Sequence, residues 1–173
     1  MKPPQLPEEV LRRVLRVARF DGMSVLGIAG TCALISASFR DVPGAVVGLL
    51  AAGAGAIELH GATLLRAGDP RGVRWLPASQ LCLMVTLLGY VAFQLSHPAD
   101  LDYWRKLITP DVAQVLQQQG MTVEQFVVGI RALKELIYMV VGAATVLFQG
   151  AMMLYYARRS AAVEAALDGD HGQ

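Results

Sequence analysis

Charged residues are scarce in this chain of 173 residues: they make up 17% of it, against about 25% in an ordinary soluble domain. Those present are unevenly placed, because long stretches between residues 20 and 157 carry almost none. Hydrophobic residues account for 54% of the chain. This combination argues against an ordinary soluble domain and is typical of a polytopic membrane protein.

The chain also lacks an excess of either charge, with 15 Lys and Arg against 14 Asp and Glu. Nucleic-acid binding usually needs a basic face, so a formal net charge of +1 gives it no support. The two cysteines, Cys32 and Cys82, fall in opposite halves of two apolar runs, and we expect no disulfide between them. His60, His97 and His171 are too scattered in sequence to make a metal site. We therefore expect neither a nucleic-acid partner nor a bound metal.

Catalytic motifs are missing as well. The chain contains no Gly-x-Ser-x-Gly, no Cys-x-x-Cys and no His-Glu-x-x-His. The stretch GAGAIE has two glycines of a dinucleotide fingerprint, but it lacks the third and falls in an apolar run. We therefore expect a protein that is not an enzyme and that carries no cofactor.

Four apolar runs are each long enough to cross a bilayer as a helix, which takes roughly 20 residues. Only helices and closed barrels satisfy the backbone in lipid, and no alternating strand pattern is present. We predict an all-α fold, a four-transmembrane-helix bundle with spans at residues 20–39, 43–65, 77–96 and 136–157. The first apolar run is too long for a cleaved signal peptide, so we interpret it as a retained anchor.

Lys and Arg residues indicate which ends of these spans are cytoplasmic. They are concentrated in residues 1–19, in the connection 66–76 and at Arg158 and Arg159. In the long connection between spans three and four they are diluted by acidic residues. We predict that both termini are cytoplasmic, with residues 160–173 as a tail, in a bacterial-type inner (plasma) membrane.

Residues 1–19 predict a cytoplasmic, basic amphipathic helix. It contains four arginines, Arg12, Arg13, Arg16 and Arg19. Arg12, Arg16 and Arg19 share one helical face, opposite a face of Val and Leu. Such a helix lies on the membrane surface with its apolar side in the headgroup boundary. It would act either as a passive anchor or as a mobile arm, gate or partner-docking helix.

The insertion at residues 97–135 predicts a small extracytoplasmic helical cap. Thr109 as N-cap, Pro110 at the first position and Gly120 as the stop predict a short helix. Thr122 and Gln125 predict a capping box that opens a second helix, which runs on into span four. The apolar stripe of this second helix must pack on the bundle, on the short helix or on a neighbouring subunit.

Span two carries small residues at four-residue spacing: Gly44, Gly48, Ala52 and Ala56. Lipid tails are as apolar as leucine, so membrane helices associate mainly by close packing at such small residues. This face would pack either on span one of the same chain or on another subunit.

Polar side chains from all four spans fall at a similar depth near the cytoplasmic side: Asp21, Ser24, Glu58, His60, Gln80 and Gln149. A charged residue at the middle of a span costs roughly 2.5–3.5 kcal/mol, so we expect Glu58 to face the bundle interior. Glu58 and His60 point in opposite directions, because two positions on a helix differ by about 200°. The cluster would be either an ion or proton site or a set of structural hydrogen bonds.

Two functions are consistent with these patterns. The first is a homo-oligomeric channel- or carrier-like transport protein that uses the intramembrane polar residues. The second is a non-catalytic structural or accessory subunit of a larger membrane complex, docking through the extracytoplasmic cap. In both, the lipid bilayer and another membrane subunit are the expected partners.

Overall fold

The computed structural model of the protein describes residues 6–97, 106 and 108–170. Five helices lie within these ranges: α1 Pro7–Ser38, α2 Val42–Arg66, α3 Gly72–Ser96, α4 Pro110–Gln118 and α5 Val123–Asp170. The described residues contain no strand, and the all-α prediction is confirmed. Parts of the predicted N-terminal helix, cap and tail lie outside the described residues, at positions 1–5, 98–105, 107 and 171–173, the last including His171.

Four of these helices, α1, α2, α3 and α5, are long and apolar enough to cross a membrane. They contain the four predicted spans almost entirely, which confirms the prediction of four helices long and apolar enough to span a membrane. The helix α5 is much longer than its span. Its 48 residues extend about 72 Å at 1.5 Å per residue, more than twice the thickness of a hydrocarbon core.

The chain divides into two compact units, Met1–Leu87 with Thr145–Gln173, and Leu88–Ala144. The first unit contains α1, α2 and the adjoining parts of α3 and α5. Within it α1 and α2 approach closely: a Cβ on Gly48 would lie 2.8 Å from the Cβ of Ala33. A Cβ on Gly55 would lie 2.8 Å from the carbonyl oxygen of Gly22. Small residues at these positions allow the two backbones to come this close.

The N-terminal segment is not a separate helix, because α1 runs without a break from Pro7 to Ser38. Its apolar face is buried in the protein core, where Val10 and Val14 belong to the same cluster as Val163 and Leu167 of α5. The predicted placement of this face in the lipid headgroups is therefore not confirmed. An apolar face gains as much by burial against another helix as by entering the membrane boundary, and α5 is long enough to provide that partner.

The second unit contains the end of α3, the helix α4 and the beginning of α5. Thr109 caps α4 by accepting a hydrogen bond from the N–H of Val112, and Gly120 has a φ of 72° after its end. The capping box is present at the start of α5, where Thr122 and Gln125 exchange hydrogen bonds of 3.0 and 3.2 Å. The predicted helix boundaries are confirmed here, while the extracytoplasmic position of the cap remains a prediction.

Candidate functional site

Glu58 is the most informative polar residue of the first unit. It lies on α2 eight residues before Arg66, about 12 Å from the end of the helix, and only 1% of its surface is exposed. Its Oε1 accepts a hydrogen bond of 2.6 Å from the hydroxyl of Tyr156. Its Oε2 accepts one of 2.9 Å from the side-chain amide of Gln80. Donors from two other helices, α3 and α5, therefore satisfy both oxygens of this buried carboxyl group.

Gln80 connects Glu58 to a second carboxyl group. Its Nε2 also donates a hydrogen bond of 2.9 Å to Oδ2 of Asp21 on α1. A side-chain amide carries two N–H donors, so this one nitrogen can donate to both carboxyl groups. Because each bond is 2.9 Å long, Oδ2 of Asp21 and Oε2 of Glu58 lie less than about 6 Å apart. We call Asp21, Glu58, Gln80 and Tyr156 the polar cluster; it draws one side chain from each of the four long helices.

Apolar layers flank the polar cluster along the helices of this unit. On α2, Glu58 lies between Ala54 and Leu65. On α3, Gln80 lies between Leu76 and Leu83. Leu65 and Leu76 belong to one buried hydrophobic cluster, and Ala54 and Leu83 belong to another. The polar cluster is therefore a single hydrogen-bonded layer between two hydrophobic ones.

Some polar atoms near this layer have no hydrogen-bond partner among the described residues. They are Oε1 of Gln80, Oε1 of Gln149 and the hydroxyl of Tyr155. The Gln80 oxygen belongs to a side chain with no exposed surface, next to two carboxyl groups. An unsatisfied buried acceptor costs about 1–3 kcal/mol, and this one is available to a proton donor or a cation.

The structure brings together three of the six predicted site residues, Asp21, Glu58 and Gln80. Gln149 is buried and Ser24 is half-buried, but within the described residues no hydrogen bond joins either to the polar cluster. His60 is exposed, and its ring packs edge-on against Trp75, with the centroids 5.6 Å apart. His60 and Glu58 thus point in different directions, as their spacing on the helix requires.

Tyr156 is not among the six site residues predicted from the sequence, although it donates a hydrogen bond to Glu58. The residue follows Gln149 by seven positions, so the two share a helical face. That spacing would have placed Tyr156 with the predicted polar residues. The adjacent Tyr155 makes a different contact, because the guanidinium of Arg159 lies 3.9 Å above its ring.

The predicted small-residue face of α2 is divided between two environments. Gly48 packs on Ala33, and Ala52 is buried as well, which places them inside the chain. Gly44 lies beside Ser36 and beside Asp41, the N-cap residue of α2, whereas Ala56 is exposed. The face therefore serves packing within the chain at Gly48, and Ala56 does not share that role.

Three of the four N-terminal arginines line one pocket with Arg66, and Arg13 is not among its described lining residues. No group of three or more His, Cys, Asp or Glu side chains in the described parts of the chain could hold a metal ion.

No protein-family model matches the chain, and no curated protein or solved structure is significantly similar to it. The site must therefore be interpreted from its own geometry.

Proposed function

We propose that the protein is a non-enzymatic, homo-oligomeric membrane carrier in which the Asp21–Glu58 pair binds a proton or a small cation. The observation that supports this most strongly is the Gln80 amide, which donates to both carboxyl groups from a third helix. An ionisable residue inside a membrane span is costly and is by default a candidate for a transport pathway. A proton or cation between two carboxylates would also remove their mutual repulsion.

The two apolar layers favour a carrier over a permanently open channel. A pathway for ions needs polar or hydrated walls along its length, whereas Leu65 and Leu76 close one side of the polar cluster. Access would then require the helices to move apart on one side at a time. The hydrogen bonds of Glu58 to α3 and α5 are the contacts that would change in such a movement.

Open glycine positions support an oligomer. A Cβ atom at Gly27, Gly30 or Gly53 would meet no side chain of a non-adjacent residue and no other helix within 4 Å. Glycines at lipid-exposed positions allow another helix to approach closely, and membrane helix interfaces are enriched in them. A chain with four spans needs such neighbours to enclose a pathway, so we propose that these positions lie in the subunit interface.

The proposal is tested by proton and cation flux in liposomes. The purified protein is reconstituted into vesicles that contain a dye sensitive to H⁺, Na⁺ or K⁺, and the gradient of the matching ion is imposed in each case. We expect flux above that of empty vesicles for one of these ions. Glu58→Gln and Asp21→Asn should each lower it at least tenfold, because each replaces a carboxyl group by an uncharged amide.

The matched control is Glu164→Gln, which makes the same chemical change at an exposed position of α5. Light scattering, with the detergent contribution subtracted, must show the same particle mass for all variants. Normal flux in Glu58→Gln would contradict a role of the cluster in transport. A wild-type protein that moves none of the three ions would also contradict a role in transport. The polar cluster would then have a structural role only.

A second candidate function is that of an accessory subunit that docks through α4. Val112 and Val115 of this short helix are 42% and 51% exposed, whereas Leu116 is buried. An apolar pair left uncovered on an amphipathic helix is the kind of surface that another protein covers. Under this alternative, Val112→Asp with Val115→Asp would abolish co-purification of a partner, and Glu58→Gln would not.

A further inference from the structure

A pocket at the N-terminal half of α1 is unusually rich in arginine. It has a volume of about 440 Å³ and is lined by Arg12, Arg16 and Arg19 of α1 and by Arg66 at the end of α2. The three arginines of α1 are spaced by four and three positions, so they lie on one face of the helix. None of the described lining residues is acidic, and arginine keeps its charge at any physiological pH. The pocket therefore presents four positive charges that its own lining does not neutralise.

A second, apolar pocket adjoins the first. Its volume is about 410 Å³, and it shares Arg19, Met23 and Arg66 with the arginine-lined pocket. Its other walls include Leu26 and Leu59, which belong to the apolar parts of α1 and α2. Together the two pockets form a groove beside α1 and α2 that is basic at one end and hydrophobic at the other. We call it the amphipathic groove.

The position of the amphipathic groove matches that of a lipid at the membrane boundary. Arg19 immediately precedes the first apolar run, and Arg66 ends the second. Arg66 therefore lies at the depth of lipid phosphates, and Arg19, which is nearer to the polar cluster, lines the same pocket. Met23, Leu26 and Leu59 lie deeper than Arg66, at the depth of acyl chains. Met23 is also 62% exposed, so this wall is open to the bilayer.

We infer that the amphipathic groove binds an anionic phospholipid, with the headgroup phosphate on the arginines and an acyl chain on the apolar wall. Arginine pairs with phosphate through two parallel hydrogen bonds, and basic pockets beside membrane helices select anionic lipids. A soluble phosphate or an acidic peptide would use the arginines but not the hydrophobic wall. The continuity of the two pockets favours the lipid.

The test is a competition between lipids, observed by native mass spectrometry of the whole protein in detergent. The protein is given equal amounts of phosphatidylglycerol and phosphatidylcholine of the same chain length. We expect phosphatidylglycerol to be retained preferentially by the wild-type protein. Arg19→Gln with Arg66→Gln should lower this preference about tenfold or more, because each arginine attracts the anionic headgroup.

Arg13→Gln with Arg71→Gln is the matched control. It removes the same two charges from exposed positions that are not among the described lining residues of the groove. If both double variants lose the preference for phosphatidylglycerol equally, the attraction is a general effect of charge and the inference is overturned. Equal retention of the two lipids by the wild type would also overturn it. Thermal unfolding in the same detergent must show that both double variants are folded.

Glycerophosphoglycerol, the headgroup without its chains, distinguishes a lipid from a soluble phosphate compound. We expect that a hundredfold excess of it leaves the bound phosphatidylglycerol in place, since it cannot occupy the apolar wall. Complete displacement by the headgroup alone would show that the arginines bind phosphate without a contribution from the hydrophobic end. That outcome would overturn the assignment of the groove to a lipid.

Discussion

The hydroxyl of Tyr156 donates a hydrogen bond of 2.6 Å to Oε1 of Glu58, across 98 positions of the sequence. This contact joins the last membrane helix to the second one at a place where both side chains are buried. Gln80 then joins the same carboxyl group to α3 and, through Asp21, to α1. One hydrogen-bonded layer therefore connects all four long helices.

Tyr156→Phe should destabilise the protein by about 1–3 kcal/mol, because the change leaves a buried oxygen of Glu58 without its donor. The measurement is denaturant-induced unfolding in detergent, followed by circular dichroism. Tyr155→Phe is the control, since its hydroxyl is buried without a described partner and its ring still stacks under Arg159. A loss of stability that is equal in the two variants would contradict the importance of the Tyr156 hydrogen bond.

Gln80→Leu should be more harmful than Gln149→Leu. The first change removes the donor of both carboxyl groups and costs about 1–3 kcal/mol for each acceptor left unsatisfied. The second removes an amide that is also buried and whose oxygen has no described partner, and we expect a small effect or a gain in stability. The same unfolding measurement decides between them, and the reverse order would show that the amide bridge does not stabilise the fold.

Gly48→Ala should cost about 1–3 kcal/mol, because the added Cβ would lie 2.8 Å from the Cβ of Ala33 and force α1 and α2 apart. Gly150→Ala adds the same methyl group to α5, at a position where a Cβ meets no side chain and no other helix within 4 Å, and should be neutral or slightly stabilising. Thermal unfolding of the two variants provides the comparison. Tolerance of alanine at Gly48 would contradict the observed approach of the two helices.

Val163→Asn should cost roughly 2 kcal/mol or more, since it places an amide in the core formed with Val10 and Val14. Ala165→Asn, two positions along the same helix and exposed, should change the stability little. This pair tests whether α5 covers the apolar face at the start of α1. Equal, small effects would instead agree with an N-terminal segment that lies in the membrane surface.

Local signals explain the parts of the fold that could be predicted. The four spans follow from hydropathy because the thickness of the bilayer fixes the length of an apolar helix. The ends of α4 and α5 follow from Thr109, Thr122 and Gln125, because a cap is made by residues within a few positions of each other. The opposite directions of Glu58 and His60 follow from helical periodicity alone.

Periodicity states which residues share a face of one helix, but it does not state which helix will cover that face. The apolar side of residues 10–18 could be covered equally well by lipid headgroups or by protein, and only the unexpected length of α5 decided it. The spacing from Gln149 distinguishes Tyr156 from Tyr155, but it does not state that Glu58 of α2 is the hydrogen-bond partner. The two are adjacent, but only one of them faces Glu58.

The sequence by itself determined that this is an all-helical protein with four helices long and apolar enough to cross a membrane and with few charges inside them. It also placed Asp21, Glu58 and Gln80 near one depth, since rise per residue converts position into height. Only the tertiary structure decided that Gln80 donates to both carboxyl groups and that Tyr156 completes the layer. Depth is a local property of each helix, whereas rotation about the helix axis is set by the packing of all four helices together.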